Sequence, residues 1–559
     1  MIRLVILLLF TLFLTGCTLP GGTPVLKEDI VILGGGFDGS AAARSAAAAA
    51  PKNKILLVVN DPLPELGGLG TVGAQNFTDI RFWQGKVVTQ GSFGRWLSQA
   101  GQFYDPDRMS QIIKDDLGQF PNIKIIYGYD LESLTSENNT IKEINIRNIQ
   151  RNQEGHIAWG EQKQRIKGKI FIDASMDGRL TRMSGNSVTV GRADWPDEYL
   201  PKEEQNSPLA RQQAATLMFK VTGVKTPSKN THFEGWEFVR DNKGSWGIAG
   251  GTDIFTSDRE VIDFNNEFGP QGFALKPLNA AATGKDSDTW WINCLLVFNV
   301  DGRAHQRDKG TDIYPADMLP YYTNTDQAWV RAREFLDKPE FINVFRRFQV
   351  QDPSTGQWYG FGEAELVRDN NGHPVVGQMM YIRESVHSPL ESNQDKLQEN
   401  KDFAITTREA QLAGPAPNIG ADLENFPTRI GLGYYMMDIN AFTDKDLAAP
   451  GPYDWPVTDN LRPDWILAGG QPKNPVYMPL ETLLPTNTEN LLVPGYASGI
   501  SSFAWAELRV LPNLAVLGDA AGVAAVRALN AKTNPRDFSQ EDIAWIQVKL
   551  KQFGARLDK

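Results

Sequence analysis

The sequence predicts an α/β fold in which one α/β unit is interrupted by a second, α+β unit, within a chain of 559 residues. The first observation is a short β-branched run, residues 30–33, that leads through three glycines into an alanine-rich stretch. The second is an apolar run, residues 54–59, which follows as a second buried strand would. The third is that the C-terminal region again contains an apolar strand pattern followed by a helix of small residues, after a middle region rich in tryptophan. A strand, a helix and a parallel strand in this order are typical of a Rossmann-like domain.

The glycine turn after the first strand is the most informative motif. Gly34, Gly36 and Gly39 have the G-x-G-x-x-G spacing. The first glycine allows a tight turn, the second lets the backbone approach a pyrophosphate, and the third packs the helix closely on the strand. The helix that follows attracts the anion with its free N–H groups and its positive dipole end. The motif therefore predicts a dinucleotide site, whose candidate residues here are Gly34, Gly35, Gly36, Phe37, Asp38 and Gly39.

Two segments after the second strand extend this predicted site. Asp61 is our first choice, and Asn60 the second, for the polar residue that binds a ribose hydroxyl at the end of that strand. The alternative is that both residues simply end a strand. Gly67 and Gly68 then lie in a glycine-dense loop near Thr71, which indicates close approach of the backbone to a bulky ligand. The alternative for this loop is a flexible surface segment.

The remaining elements follow in order. We expect a helix at residues 105–116 and a strand at 122–127. Three short antiparallel strands are predicted at 141–147, 156–159 and 164–167, before a strand that runs from residue 169 into Asp173 and Ala174. Near the C-terminus we expect a strand ending at Gly495, a small-residue helix that begins near Gly518 and contains Ala521 and Gly522, and a final helix at 539–557.

The N-terminus predicts export. A basic start is followed by an apolar run, residues 4–14, which suits a signal peptide better than a membrane-spanning helix. The run ends in Leu-Thr-Gly-Cys17, which resembles the lipobox of bacterial lipoproteins, where the cysteine is diacylated. The alternative is a plain secretory signal with an incidental cysteine. We find no later run that is long and apolar enough to span a bilayer. We therefore expect a body held at the membrane of the periplasm or cell surface by its lipid only.

Composition excludes several classes of protein. The net charge of −11, without a long basic run, argues against nucleic-acid binding. Cys294 is the only other cysteine, so a dithiol redox centre is excluded, and its strand-like surroundings predict a small buried hydrophobe. We expect no metal site.

Several motifs, in their order along the chain, resemble the FAD-dependent oxidoreductases that share a glutathione-reductase-like FAD domain. They are the segments 31–36, 66–68, 172–178, 190–192, 217–219, 383–385, 435–439, 483–485, 490–495, 508–512 and 517–524. The resemblance implies an FAD-binding domain formed by 28–195 and 431–559 and an inserted α+β substrate domain at 196–430. Before them, the N-terminal pattern predicts a signal peptide and lipobox at 1–17 and a Pro- and Gly-rich tether at 18–27.

The resemblance also implies roles for individual residues. The glycine turn would cradle the FAD pyrophosphate, Asp61 would hold the adenosine ribose, and Gly67 and Gly68 would pass near the flavin side. Gly495 would lie by the ribityl chain, and the helix opening near Gly518 would point its N-terminus at the flavin. Three departures from the family pattern are Met176 in place of a glycine, Tyr496 in place of an acidic residue, and Asn440 in place of a histidine.

The expected activity is hydride transfer between FAD and a small organic substrate, which the exported location and the aromatic middle region suggest is a carbohydrate or an alcohol. Candidate polar residues are Arg383, Glu384, Asp438 and Arg509, because arginine clamps anions and a desolvated carboxylate can act as a base. The alternative is that Arg383 and Glu384 form a structural ion pair and that Arg509 caps a helix. Two other functions stay open, an NAD-dependent dehydrogenase and a non-catalytic surface lipoprotein that binds a glycan or a protein. The electron acceptor and the catalytic base are unassigned.

Overall fold

A five-stranded parallel sheet is the centre of the molecule. The computed structural model describes residues 24–195, 200, 203–207, 209–389, 403–404, 426–436, 438–448 and 474–559. In spatial order the strands of this parallel sheet are Leu491–Leu492, Ile170–Asp173, Ile30–Leu33, Ile55–Val59 and Ile123–Tyr127. The first four are fully buried and consist mainly of Ile, Leu and Val, as expected of parallel strands that are covered on both faces.

Each face of the parallel sheet packs on a different layer. Ile30, Ile32 and Leu57 belong to a core shared with helices, whereas Val31 and Leu56 belong to a core shared with other strands. This division follows from the alternation of side chains along a strand. The helices of the first layer are Phe37–Ala49, Ser92–Ala100, Pro106–Leu117, Leu511–Ala531 and Gln540–Gln552. The protein therefore has a mixed α/β fold.

The second layer is a four-stranded sheet, the meander sheet. Its strands are Val25–Lys27, Ile157–Lys167, Thr140–Arg151 and Tyr129–Glu137, in that spatial order. The predicted meander is present, but its boundaries were wrong in two places. Residues 157–159 and 164–167 belong to one strand, Ile157–Lys167, which excludes residue 156. The polar strand Tyr129–Glu137 was missed because its outer half is exposed and lacks an apolar pattern.

The middle of the chain forms a large antiparallel sheet with its own aromatic core. This core contains Trp236, Phe219, Phe341 and Trp329, and Cys294 is fully buried within it, as predicted. The strands of the large sheet are Ala215–Thr216, Phe219–Thr222, Thr231–Phe233, Trp236–Arg240, Trp246–Gly250, Phe273–Ala282, Trp290–Val297 and Glu365–Leu366. Its helices are Thr252–Ser257, Arg259–Phe268, Thr325–Phe335 and Pro339–Phe345.

Shorter elements connect these layers. The strands are Phe82–Trp83, Lys86–Val87, Thr189–Val190, Val300–Asp301, Thr323–Asn324, Gln349–Gln351, Trp358–Gly360, Val386–His387, Arg429–Gly433 and Val476–Pro479. The helices are Arg179–Met183, Lys445–Ala448 and Ser502–Leu508.

The C-terminal core helix, Leu511–Ala531, corrects two predictions. It does not begin near Gly518, because it starts at Leu511 with Pro512 in its first turn. Gly518 and Gly522 instead face the helix Phe37–Ala49, where an added Cβ would come within 2.1 Å of the Asp38 carbonyl oxygen and within 2.2 Å of the Ala42 carbonyl oxygen. By length and composition this helix could also cross a membrane, contrary to our expectation, but 78% of its apolar window is buried in the core.

Candidate functional site

A cleft opens at the carboxyl ends of the parallel strands, where the spatial order of the sheet reverses between Ile30–Leu33 and Ile170–Asp173. Ligands of open α/β sheets bind at such a reversal. The cleft extends from the glycine turn to residues contributed by the middle of the chain. Nine predicted binding residues line it, namely Gly35, Gly36, Phe37, Asp38, Asn60, Asp61, Gly67, Gly68 and Ala174.

Gly34 and Gly39 shape the turn without lining the cleft. Gly34 has a φ of +110°, and a Cβ there would lie 2.1 Å from the Ala174 carbonyl oxygen. A Cβ on Gly39 would lie 1.9 Å from the Gly34 carbonyl oxygen. Only glycine fits at these two positions, since a side chain would separate the first strand from its helix and from the neighbouring strand. Gly36 then precedes the helix Phe37–Ala49, whose N-terminus no side chain caps.

Asp38 places a carboxyl group inside this turn. Its Oδ1 accepts a hydrogen bond from the Gly39 amide at 2.9 Å. A Cβ on Gly36 or on Gly495 would come within 2.5 Å of a carboxyl oxygen of Asp38, which explains the glycine at position 495. Burial raises the pKa of Asp38 to about 7, and the charge of Asp173 acts in the same direction. Gly495 itself does not line the cleft, whereas the adjacent Tyr496 does.

The far end of the cleft is strongly charged. Burial raises the pKa of Asp61 to about 6, with the charge of Asp130 acting in the same direction and those of Arg151 and Arg307 opposing it. No hydrogen bond reaches the Asp61 carboxyl group from the residues that the structure describes. Arg151 and Arg307 line the same end, and the Nε of Arg307 has no partner there. Neither arginine was predicted, because both come from segments that carry no motif and lie far along the chain from the glycine turn.

The loop at Gly67 and Gly68 touches the glycine turn, as its glycine content indicates. The Gly67 amide donates to the Gly35 carbonyl oxygen at 2.8 Å, and both loop glycines have positive φ angles, 105° and 52°. Thr71 lies behind the loop and not in the cleft. Its hydroxyl donates to the Leu66 carbonyl oxygen at 2.7 Å, so that Thr71 fixes the shape of the loop.

The core helix meets the cleft with its first turn. Leu511 and Leu514 line the cleft, and no side chain caps the N-terminus of this helix. The residues predicted for that role, Gly518, Ala521 and Gly522, do not line the cleft. They lie deeper in the helix, where the two glycines allow close packing of the two helices.

The four candidate catalytic residues lie behind the cleft wall rather than on it. Arg509 donates to Asp438 Oδ2 at 2.7 Å and to the Tyr381 hydroxyl, although by position it also ends the helix Ser502–Leu508. Arg383 and Glu384 do not form an ion pair. Glu384 accepts hydrogen bonds from Ser502 Oγ at 2.8 Å and from the Gln213 amide at 2.9 Å, whereas Arg383 donates to Thr216 Oγ1 and to the Ala214 carbonyl oxygen.

His305, to which we assigned no role from the sequence, has two side-chain partners. His305 lines the cleft, its Nε2 lies 3.4 Å from Asp177 Oδ2, and its Nδ1 lies 3.0 Å from Thr325 Oγ1. Burial would raise the pKa of Asp177, but hydrogen bonding to His305 and the charge of Arg182 hold it well below its usual range. Among the described residues no group of His, Cys, Asp and Glu side chains could hold a metal ion.

A family model described as FAD dependent oxidoreductase matches residues 29–550. The chain belongs to the FAD-dependent oxidoreductase family. FAD is therefore its cofactor, and the nicotinamide alternative is set aside.

Solved structures similar to this oxidoreductase are distant from it in sequence, and comparison with curated proteins found no match. A geranylgeranyl bacteriochlorophyll reductase-like protein of Thermoplasma acidophilum is 10% identical, with 95% of this chain and 84% of that chain covered and a TM-score of 0.35. The p-nitrophenol 4-monooxygenase of Pseudomonas putida is 12% identical (60% and 65% covered, TM-score 0.26). A myxobacterial chondrochloren halogenase is 11% identical (49% and 53% covered, TM-score 0.24), so the chain spans about half of that halogenase.

The residues of the cleft fit FAD. The helix Phe37–Ala49 meets the cleft with an uncapped N-terminus, which is the arrangement that binds diphosphates. The free carboxyl group of Asp61 suits a ribose hydroxyl. Met176 lines the cleft with a negative φ, so its backbone conformation does not require glycine. Asn440 donates to Asp438 Oδ1 at 3.2 Å.

Proposed function

We propose that the protein is an exported, lipid-anchored oxidoreductase that transfers hydride between FAD and a small organic substrate. FAD supplies the redox chemistry when it is bound. The observation that carries the proposal is the composition of the cleft, which combines the glycine turn with Gly302, His305, Met380 and Ile382 from the middle of the chain. The substrate would therefore meet the cofactor where the two parts of the protein join.

The proposal divides the cleft between the parts of FAD. The turn at Gly34–Gly39 holds the diphosphate, Asp61 holds the adenosine ribose with Asn60 beside it, and Gly67 and Gly68 face the flavin side. The first turn of the core helix, at Leu511, takes the place that the sequence suggested for Gly518, because a helix N-terminus stabilises negative charge that develops on the flavin.

The domain organisation is part of the same proposal. A glutathione-reductase-like FAD domain is formed by residues 28–195 and 431–559, and residues 196–430 hold the substrate. The parallel sheet supports this division, because its strands come from both ends of the chain. The substrate class we favour is a carbohydrate or another alcohol, and the lipid anchor is Cys17, which lies outside the described residues.

The test uses a lipid-free protein, residues 18–559. We expect it to purify with flavin absorbance, and we expect anaerobic addition of a sugar or alcohol to bleach that absorbance. Gly39→Ala should lose the flavin because its Cβ would lie 1.9 Å from the Gly34 carbonyl oxygen. Gly94→Ala is the matched control, since its Cβ would find its nearest neighbour at 3.9 Å.

Two results would count against the proposal. A colourless protein that FAD does not reconstitute would contradict cofactor binding. Bound flavin that no sugar, alcohol or acid reduces would contradict catalysis, and would favour a non-catalytic role in which the lipoprotein binds a glycan or a protein partner.

A further inference from the structure

Three cationic side chains converge on Asp438 behind the cleft wall. Lys276 comes from the large antiparallel sheet, Arg383 from the segment that contains Tyr381, and Arg509 from the end of the helix Ser502–Leu508. Their exposed fractions are 7%, 1% and 3%. We call these three residues the cation cluster. Asp438 is the carboxylate that pairs with it, through the 2.7 Å contact to Arg509.

The cation cluster contains more positive charge than its surroundings neutralise. Asp79 lies near Asp438 and Arg509 but is matched by Arg81, which also faces it. Glu384 is turned away towards Ser502. Among the described residues, Arg383 forms no hydrogen bond with a carboxylate, and its hydrogen bonds go to a carbonyl oxygen and a hydroxyl group. The charge of Asp438 acts on Arg383, but Arg509 and Lys276 share that carboxylate. Buried positive charge that is only partly compensated is costly, which indicates that an anion completes the site.

Two donors of the cation cluster are unused. The Nε atoms of Arg383 and Arg509 are buried and have no hydrogen-bond partner in the described part of the chain. Both guanidinium groups lie near the ring of Tyr381, at 4.7 Å and 5.7 Å from its centre. Two planar guanidinium groups with free N–H donors suit a carboxylate, which accepts two hydrogen bonds side by side.

The cation cluster lies between two clefts, although its three cations line neither of them. The side chain of Asp438 is 34% exposed, so this edge is open. A second cleft, of about 270 Å³, ends at Asp79 and Tyr435, whose hydroxyl lies 3.3 Å from Asp79 Oδ1. On the other side, the neighbours of Tyr381 in the chain, Met380 and Ile382, line the cofactor cleft.

We propose that the cation cluster binds the carboxylate group of an acidic substrate, such as a sugar acid or a hydroxy acid, at the wall of the cofactor cleft. This inference rests on the proposed function and narrows its substrate class from alcohols in general to alcohols that carry a carboxylate. In this arrangement Arg383 and Arg509 hold the anion while the remainder of the substrate extends towards the cleft.

The experiment compares two probes of the same size on the FAD-loaded protein, propionate and propionamide, by isothermal titration calorimetry. We expect propionate to bind at least tenfold more tightly. Arg383→Gln should remove this preference, and it leaves no carboxylate unpaired. Arg383→Lys should keep part of the preference. Arg259→Gln, at an exposed arginine that pairs with Asp263 on its own helix, should keep all of it.

Equal affinity for the two probes in the wild-type protein would overturn the inference, as would sulfate binding as tightly as propionate. If Arg383→Gln does not fold, the wild-type comparison still decides. Because calorimetry needs no turnover, absence of propionate binding to a yellow, active enzyme refutes this inference alone. Absence of flavin refutes the proposed function instead.

Discussion

At the scale of single residues, Asp38 is in electrostatic conflict with the role proposed for its turn. It places a buried carboxyl group in the turn that would hold a diphosphate, so its ionised form repels the cofactor. Burial raises its pKa from an ordinary 3.8 to about 7. The neutral form can instead donate a hydrogen bond to a phosphate oxygen. The protonation state of Asp38 therefore sets the charge of the glycine turn near neutral pH.

Because Asp38 ionises as the pH rises through about 7, we expect the affinity for FAD to fall about tenfold or more between pH 6 and pH 8.5. Stability of the FAD-free protein should fall over a lower interval, from pH 3.8 to about 7, and level off above it, since only there does the folded state hold a proton that the unfolded state has lost. Asp38→Asn should flatten the affinity profile, as measured by quenching of FAD fluorescence. A wild-type affinity that is constant over this interval would contradict the argument.

The ionisation of Lys276 predicts that propionate affinity also depends on pH. Burial lowers its pKa to about 8, and the charge of Arg383 acts in the same direction. Above pH 8 the amine loses its charge, and the cation cluster loses one of its three cations. Propionate affinity should therefore fall several-fold between pH 7 and pH 9, and Lys276→Met should remove most of this fall. An unchanged profile in the Lys276→Met protein would assign the pH dependence to another group.

Sequence reasoning succeeded for single residues where a local motif dictates the backbone. Gly34 and Gly39 follow from the sterics of a strand–turn–helix unit, and the structure places both where a side chain would clash. It could not foresee that Arg383 and Glu384 point to different partners, since those partners come from remote segments. The partner of His305 was missed for the same reason.

At the scale of elements, the crossing of the helices Phe37–Ala49 and Leu511–Ala531 depends on small residues. Pro512, in the first turn of the second helix, is a residue type that favours a helix start at this position. We instead predicted a helix start near Gly518 from the alanine and glycine content of residues 518–525. In the structure that composition serves helix packing, because backbone atoms of one helix touch the glycines of the other.

We expect Gly522→Ala to lower the free energy of unfolding by about 1–3 kcal/mol or more, since its Cβ would lie 2.2 Å from the Ala42 carbonyl oxygen and would push the helices apart. Urea unfolding followed by circular dichroism measures the change. Gly94→Ala makes the same change in a helix with free space and should be neutral or slightly stabilising. Equal effects of the two substitutions would show that the helix contact is not the cause.

At the scale of the whole molecule, the sequence predicted an α/β protein whose first unit is interrupted, and the parallel sheet indeed combines strands from both ends of the chain. Strand periodicity and turn residues were sufficient for most of its elements. The layer in which each element packs depends on contacts between remote segments, which a local pattern does not contain. The part of the cleft that comes from the middle of the chain was predicted least, because its residues come from several separate loops.

The proposed anchor is a prediction about the whole molecule. In a bacterial host, the full chain should incorporate labelled palmitate and fractionate with the membrane, because two acyl chains hold a protein there stably. Cys17→Ala should abolish the label. Cys294→Ala is the matched control and should keep it, since Cys294 is fully buried and unavailable to an acyltransferase. Label that persists after Cys17→Ala would refute the anchor.

The pairing of the C-terminal strand with the parallel sheet also determines when, during synthesis, the protein can bind FAD. The glycine turn is synthesised long before the C-terminal segments that complete its surroundings, the strand Leu491–Leu492 and the core helix. At about 5–20 residues per second, the turn waits roughly 25–100 s for them. Contacts so remote in sequence also close slowly. Cofactor capture is therefore a property of the finished chain, and a nascent chain that stops before Leu511 would remain colourless.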